Sequence, residues 1–213
     1  MLKPGDITGV VLAGGLGRRM SSDGQGVDKG LQMFRGRPMV SQVIERLQPQ
    51  VARIVINANR NRERYEQYGH PVVADQLAGF AGPLAGLHAG LKVAGTPYVV
   101  TVPCDSPFLP DDLVARLAAG LAGSAAVVAV ARTGSQPHPV FALVDRTVLA
   151  DLEQFLQAGG RKIDKWYGAL KFVEVPFADE AAFRNINTPE ELRQFETDAA
   201  VAGSGLSDTK PLR

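Results

Sequence analysis

Ile7-Thr8-Gly9-Val10-Val11-Leu12 runs directly into Ala13-Gly14-Gly15-Leu16-Gly17-Arg18-Arg19-Met20, and Asp28-Lys29-Gly30 follows shortly after. The first six residues form an apolar run of the length of a buried strand. A glycine-rich turn at the carboxyl end of such a strand lets the backbone approach a phosphate and aim N–H groups at it. Arg18, Arg19 and Lys29 then supply cations where a triphosphate would lie. Glycines alone would also make an ordinary tight turn. The adjacent cations are what point to phosphate.

Two other phosphate loops are excluded. The dinucleotide fingerprint G-x-G-x-x-G fails at its third glycine, because Gly15-Leu16-Gly17-Arg18-Arg19 ends on Met20, and a side chain there blocks close helix–strand packing. The Walker pattern fails because Lys29 follows Asp28 and precedes Gly30.

Working outward, strand-like and helix-like segments alternate. Pro38 to Leu47 reads as a helix with Met39, Val40, Val43, Ile44 and Leu47 on one face, and Arg53 to Asn57 as a second buried strand. Arg60 to Tyr68 reads as a polar helix ended by Gly69, Pro71 to Asp75 as a short strand, and Pro83 to Lys92 as a helix opened by proline. Tyr98 to Val102 is a strong strand, and Asp111 and Asp112 are expected in the first turn of a helix through Leu121. Ala125 to Ala131, His138 to Val144 and Lys171 to Val175 read as strands, with a helix from Arg146 to Gln157. Thr188-Pro189-Glu190-Glu191 is a capping box that starts a last helix through Phe195. From Thr197 onward the periodicity is lost. The expectation is one α/β domain over 1–196, a three-layer α/β/α sandwich with a mainly parallel, mixed sheet, and a disordered tail over 197–213.

In such a sheet, ligands bind beyond the carboxyl ends of the strands. Gly14, Asn57, Asp75 and Asp105 all fall there. Each also has a plainer reading: Asn57 and Asp75 end strands in turns, Asp105 caps the turn before Ser106-Pro107, and Lys29 is solvated. One of Arg18 and Arg19 faces phosphate while the other faces solvent or Asp23. Asp105 has the strongest chemical rationale, because a strand-end carboxylate can hold Mg²⁺ against an α-phosphate together with phosphate oxygens and waters. Cys104 reads as a packing residue and not a nucleophile.

Composition agrees with one compact enzyme. The chain has 213 residues, 45% of them hydrophobic, enough for a substantial core. A formal net charge of +1 argues against a general nucleic-acid or membrane surface. A single cysteine suits a reducing cytoplasm, and no apolar stretch reaches bilayer-spanning length or resembles a signal peptide's core.

The order of strand, L-A-G-G-x-G-x-R-M and D-K-G resembles the glycosyltransferase-A-type nucleotidyltransferases, whose fold is Rossmann-like and of the nucleotide-diphospho-sugar transferase type. Within them it is most similar to the molybdenum cofactor guanylyltransferases, which join GTP to molybdopterin. Further landmarks are Asn57-Ala58-Asn59-Arg60, Asp75, Gly82 to Gly86, Pro103 to Phe108 and Asn185 to Leu192, so the resemblance spans about Ile7 to Phe195. One departure is the Ser21–Val27 link between R-M and D-K-G, which is longer than the family's usual one.

The resemblance implies transfer of GMP from GTP to the phosphate of molybdopterin, with pyrophosphate released and the guanine dinucleotide formed. It implies Arg19, Lys29 and Asp105 as catalytic residues, with Mg²⁺ on Asp105 and Mn²⁺ as a substitute. GTP would lie on Leu12, Ala13, Gly14, Gly15, Lys29, Asn57, Asp75 and Asp105, with Asp75 facing the guanine. Asn59 and Arg60 would support that wall or the pterin side. Molybdopterin would lie on the later half, at Gln136, His138, Arg161, Lys162, Asn185 and Asn187. Trp166 offers an aromatic surface nearby, although a lone tryptophan is more often core, and Asn185 and Asn187 also read as local backbone partners before a helix. Partners implied are molybdenum-insertion proteins upstream and acceptor molybdoenzymes or their chaperones. The rival readings are a molybdopterin cytidylyltransferase, a sugar-phosphate nucleotidyltransferase and a non-catalytic GTP-binding regulator. Gly14-Gly15 and Pro103-Cys104-Asp105 favour guanine, because the cytidylyltransferases usually show L-A-A-G and a G-D-M-P-like segment.

Overall fold

The computed structural model describes residues 2–15, 17, 20, 26–76 and 82–204, with side chains as far as Thr197. The glycine-loop stretch follows β1 (Ile7–Leu12), and Lys29–Leu31 form a 3-10 turn. A small hairpin of β2 (Met33–Phe34) and β3 (Arg37–Pro38) leads into α1 (Met39–Leu47), β4 (Arg53–Asn57), α2 (Arg62–Glu66), β5 (Val72–Val73) and α3 (Pro83–Val93). The chain continues through β6 (Tyr98–Pro103), α4 (Leu113–Ala122), β7 (Val128–Thr133), β8 (Gln136–Asp145), α5 (Leu149–Gln157), α6 (Ile163–Gly168), β9 (Phe172–Phe177) and α7 (Pro189–Ser204).

The main sheet has the order β5-β4-β1-β6-β8-β7-β9. β8 alone runs antiparallel, to both β6 and β7, and the remaining pairs are parallel. Val10 and Val11, neighbours in sequence, belong to separate apolar clusters because successive strand residues point to opposite faces. Val11 lies in the cluster that holds Val43 and Leu47 of α1 and Leu117 of α4, while Val10 lies in the one that holds Leu87 of α3, Leu152 of α5 and Trp166 of α6. The expected mainly parallel α/β/α sandwich is therefore present. From β1 the chain builds outward to β4 and β5, then returns to place β6 on the other side of β1. This reversal opens a crevice at the carboxyl ends of β1, β4 and β6.

Helix α3 lies close against β1 beside that crevice. A Cβ on Gly90 would sit 2.6 Å from Val10 Cγ2, and one on Gly86 would sit 2.5 Å from Leu12 Cδ2. Glycines four apart thus let the helix backbone press on the end of β1, bringing its amino end to the strand ends.

Some boundaries differ from the sequence expectation. Asp111 and Asp112 precede α4 instead of lying in its first turn. The Val114 N–H is taken by Gln50 Oε1 at 2.9 Å, so a side chain from across the fold does the capping. Asn61, at φ 52, delays α2, and Gly69 at φ 75 follows it as expected. The capping box forms, with Glu191 N donating to Thr188 Oγ1 at 3.1 Å and Thr188 N to Glu191 Oε2 at 3.2 Å. The tail expected from Thr197 is corrected in part. Helix α7 continues to Ser204, where alanines at 199, 200 and 202 favour helix without making a periodic pattern. Among the described residues, no helix is long and apolar enough to cross a membrane.

Candidate active site

A cavity of about 470 Å³ occupies the crevice. Its floor is Leu12, Ala13, Gly14 and Gly15, directly beyond β1. The protein itself constrains two glycines of the loop, Gly17 through its backbone and Gly14 through a neighbouring side chain. Gly17 has φ +57 and a Cβ there would drive into the Val27 carbonyl, while a Cβ on Gly14 would lie 2.8 Å from Asn59 Nδ2. Gly15 differs: a Cβ there would meet nothing within 4 Å, so its bare backbone faces open cavity.

At one end of the cavity, Lys29 and Asp105 meet across 76 positions of sequence. Lys29 Nζ donates to Asp105 Oδ2 at 2.8 Å and to Asn187 Oδ1 at 2.6 Å. The Asp105 main chain accepts from Ile186 N at 2.9 Å, and Ser106 Oγ donates to Asn185 Oδ1 at 2.6 Å. The 185–187 segment is therefore stitched to the loop after β6. It is held from behind by the α7 cap, where Asn187 N donates to Glu191 Oε2 at 2.6 Å. Asn185 and Asn187 make more than local backbone contacts. Cys104 is buried in this loop, and burial, with Asp105 beside it, pushes its thiol well above the usual range, so it is a packing residue.

At the other end, Asp75 is clamped. Asn57 Nδ2 donates to Asp75 Oδ1 at 2.9 Å and to the Val73 carbonyl at 3.3 Å. Asn59 Nδ2 donates to Asp75 Oδ2 at 2.8 Å, and Asp75 N returns a bond to Asn59 Oδ1 at 2.8 Å. Asn57 is thus tied across strands and not into a local turn. Both carboxylate oxygens are oriented, yet each keeps lone-pair capacity for another donor.

The sequence expectation is met unevenly on the second-substrate side. Gln136 is exposed, its Nε2 donating to Pro137 O at 3.1 Å. His138 stacks on Phe183 with centroids 4.6 Å apart and shares a hydrogen bond with Thr133 Oγ1 at 2.7 Å, and its burial lowers its pKa. Arg161 Nη1 donates to Leu156 O at 3.3 Å and Gly160 O at 2.8 Å, Lys162 precedes α6, and Trp166 is core. None of these lines the cavity, whereas Asn185 and Asn187 do. The reason is the apolar side of each segment: α6 packs Trp166 and Tyr167 inward, and the His138 ring joins the Phe141–Phe183 aromatic cluster. Arg19, with Arg18, lies outside the described residues, as does most of the Ser21–Val27 link. Asn59 supports the Asp75 wall, one of the two places expected for it, while Gly82, Pro83, Pro103 and Val140 line the cavity without having been expected there. The Gly82-Pro83 helix start was a usable signal, since a helix amino end favours anions.

A larger concavity of about 720 Å³ lies elsewhere, lined by Arg35, Arg116, Arg184 and Phe177 among others. It holds none of Gly14, Asn57, Asp75 and Asp105, which all line the smaller one.

The three-layer sandwich thus brings a glycine loop, a lysine–aspartate pair and a clamped carboxylate to one crevice, an arrangement suited to a nucleoside triphosphate, and the relatives are nucleotidyltransferases. The MobA-like NTP transferase domain profile matches residues 9–171, and the chain belongs to that family. The molybdenum cofactor guanylyltransferase of Ralstonia nicotianae is 52% identical, over 92% of this chain and 98% of the relative. That of Cupriavidus necator is 50% identical, over 92% and 100%. The crystal structure of molybdopterin-guanine dinucleotide biosynthesis protein A from Archaeoglobus fulgidus superposes with TM-score 0.74 at 26% identity, covering 91% of this chain and 99% of that one.

Proposed function

We propose that this enzyme transfers GMP from GTP to the terminal phosphate of molybdopterin, releasing pyrophosphate and forming molybdopterin guanine dinucleotide. The observation that carries the reading is the pairing of opposite tasks at the two ends of one cavity, Lys29 with Asp105 at 2.8 Å and Asp75 clamped by two amides. Guanine presents N1–H and 2-amino donors side by side, which an oriented carboxylate accepts. Cytosine offers no such pair. The names of the relatives agree, and they favour this reading over a cytidylyltransferase, a sugar-phosphate nucleotidyltransferase or a non-catalytic GTP-binding regulator.

With the guanine on Asp75, the triphosphate reaches the Gly14-Gly15 backbone and Lys29. Arg19 would add a further cation. The acceptor phosphate is already a nucleophile, so positioning and charge neutralisation carry the rate and no covalent enzyme intermediate is needed. Among the described residues no cluster of three His, Cys, Asp or Glu side chains exists. One cavity-facing carboxylate fits Mg²⁺, which keeps waters and completes its shell with substrate phosphates, and Mn²⁺ would suit the same donors. Held by Asp105, the ion would supply charge neutralisation at the α-phosphate. Asn185 and Asn187, which line the same cavity, would meet the pterin. Molybdenum-insertion proteins, acceptor molybdoenzymes or their chaperones would be the handover partners, in a cytoplasm that suits the buried Cys104.

Incubation with Mg²⁺, molybdopterin and either GTP or CTP, followed by product mass measurement, tests the reaction. The guanine dinucleotide is expected, and a cytosine product or none would overturn it. Asp75→Ala should erode the preference for GTP over CTP and ATP, read by calorimetry. Tighter CTP binding by the parent would end the guanine assignment.

A further inference from the structure

Asp28 stands next to Lys29 in the motif, yet it does not line the cavity. Each of its carboxylate oxygens is held elsewhere. Tyr65 Oη of α2 donates to Oδ1, and Asn61 Nδ2 donates to Oδ2 at 2.9 Å. Tyr65 is fully buried, and burial pushes its phenol far above the ordinary value, so it remains a proton donor. The same hydroxyl touches the other neighbour of Lys29: a Cβ on Gly30 would lie 2.6 Å from Tyr65 Oη and 3.2 Å from Cys104 Sγ. One buried oxygen thus bonds the residue before Lys29 and packs against the residue after it. The lysine itself reaches to Asp105 and Asn187.

We propose that Tyr65 is a positioning residue for the triphosphate, fixing through Asp28 and Gly30 the backbone from which Lys29 extends. A lysine is a point charge on a flexible stem, so its aim depends on where its backbone is held. The bonds from Tyr65 and Asn61 also keep the Asp28 carboxylate turned away. Released, it would compete for the Lys29 ammonium and repel phosphate. This inference rests on reading Lys29 as the triphosphate grip.

Tyr65→Phe keeps the ring and its packing and removes only the hydroxyl. Calorimetry on the full chain should show affinities for GTP and pyrophosphate falling about fivefold, the worth of one net hydrogen bond, with GMP affinity unchanged. In a Lys29→Ala background the same substitution should have no further effect. Asn61→Gly, which keeps the positive-φ backbone and lies at the surface, should give the same selective loss, and it stands in if Tyr65→Phe folds poorly. Equal loss for GTP and GMP, no loss in either variant, or an undiminished loss in the Lys29→Ala background would each overturn the proposal. If Lys29→Ala alone left GTP and pyrophosphate binding intact, the underlying reading of Lys29 would fall instead.

Discussion

Asp105→Asn is expected to fold like the parent and to transfer the nucleotide at least about a hundredfold more slowly, the usual scale for losing one contact to developing charge. The change is nearly isosteric. The contacts that place the loop survive it, because Ile186 N donates to the main-chain oxygen of residue 105 and the Ser106–Asn185 bond lies beside it. Lys29 also keeps Asn187 Oδ1 as an acceptor at 2.6 Å. What disappears is the negative charge that now compensates Lys29 and that a divalent cation needs. Transfer assays across a Mg²⁺ titration, with a melting curve beside them, separate the two effects. Part of the activity should return at high Mg²⁺ or with Mn²⁺, which a purely structural role does not explain. Near-parent turnover at limiting Mg²⁺ would remove Asp105 from the mechanism.

Strands announced themselves locally. β1 coincides with the apolar run Ile7–Leu12 and β4 is centred on Ile54-Val55-Ile56, because a strand buried on both faces needs consecutive apolar residues. Their order along the chain then placed Gly14, Asn57 and Asp105 at one crevice. The capping box was equally legible, since both of its bonds close within four residues. Contacts between distant segments left no local trace. Gln50 caps α4 from 64 positions away, and Tyr65 reaches Asp28 across 37. In the Arg161–Trp166 stretch the lone tryptophan is core, as such a residue more often is, its ring lying in the cluster of the α3 and α5 leucines, while Arg161 and Lys162 do not line the cavity. Resemblance and the strand-end position both point to Asp75, whereas its clamp by Asn59 closes across 16 positions and leaves no local pattern.

Lys29→Ala is expected to lower GTP affinity by roughly ten- to a hundredfold, because a charge-assisted hydrogen bond contributes about 1.5–3 kcal/mol. GMP should lose much less, since it lacks the phosphates that the ammonium would meet. The fold should tolerate the change. The Lys29 and Asp105 side chains are 17% and 9% exposed at a cavity open to water, so the carboxylate left behind can be solvated. A divalent cation would also find that carboxylate free of its present competitor, so Mg²⁺ dependence should persist while triphosphate affinity falls. That division separates Lys29 from Asp105, whose replacement should raise the Mg²⁺ concentration that transfer needs. Calorimetric titrations of GTP and GMP into both proteins at one fixed ionic strength make the comparison, because the lost interaction is screened by salt. A variant that binds GTP as tightly as the parent would place Lys29 in solvent and leave the triphosphate to the glycine loop and its arginines.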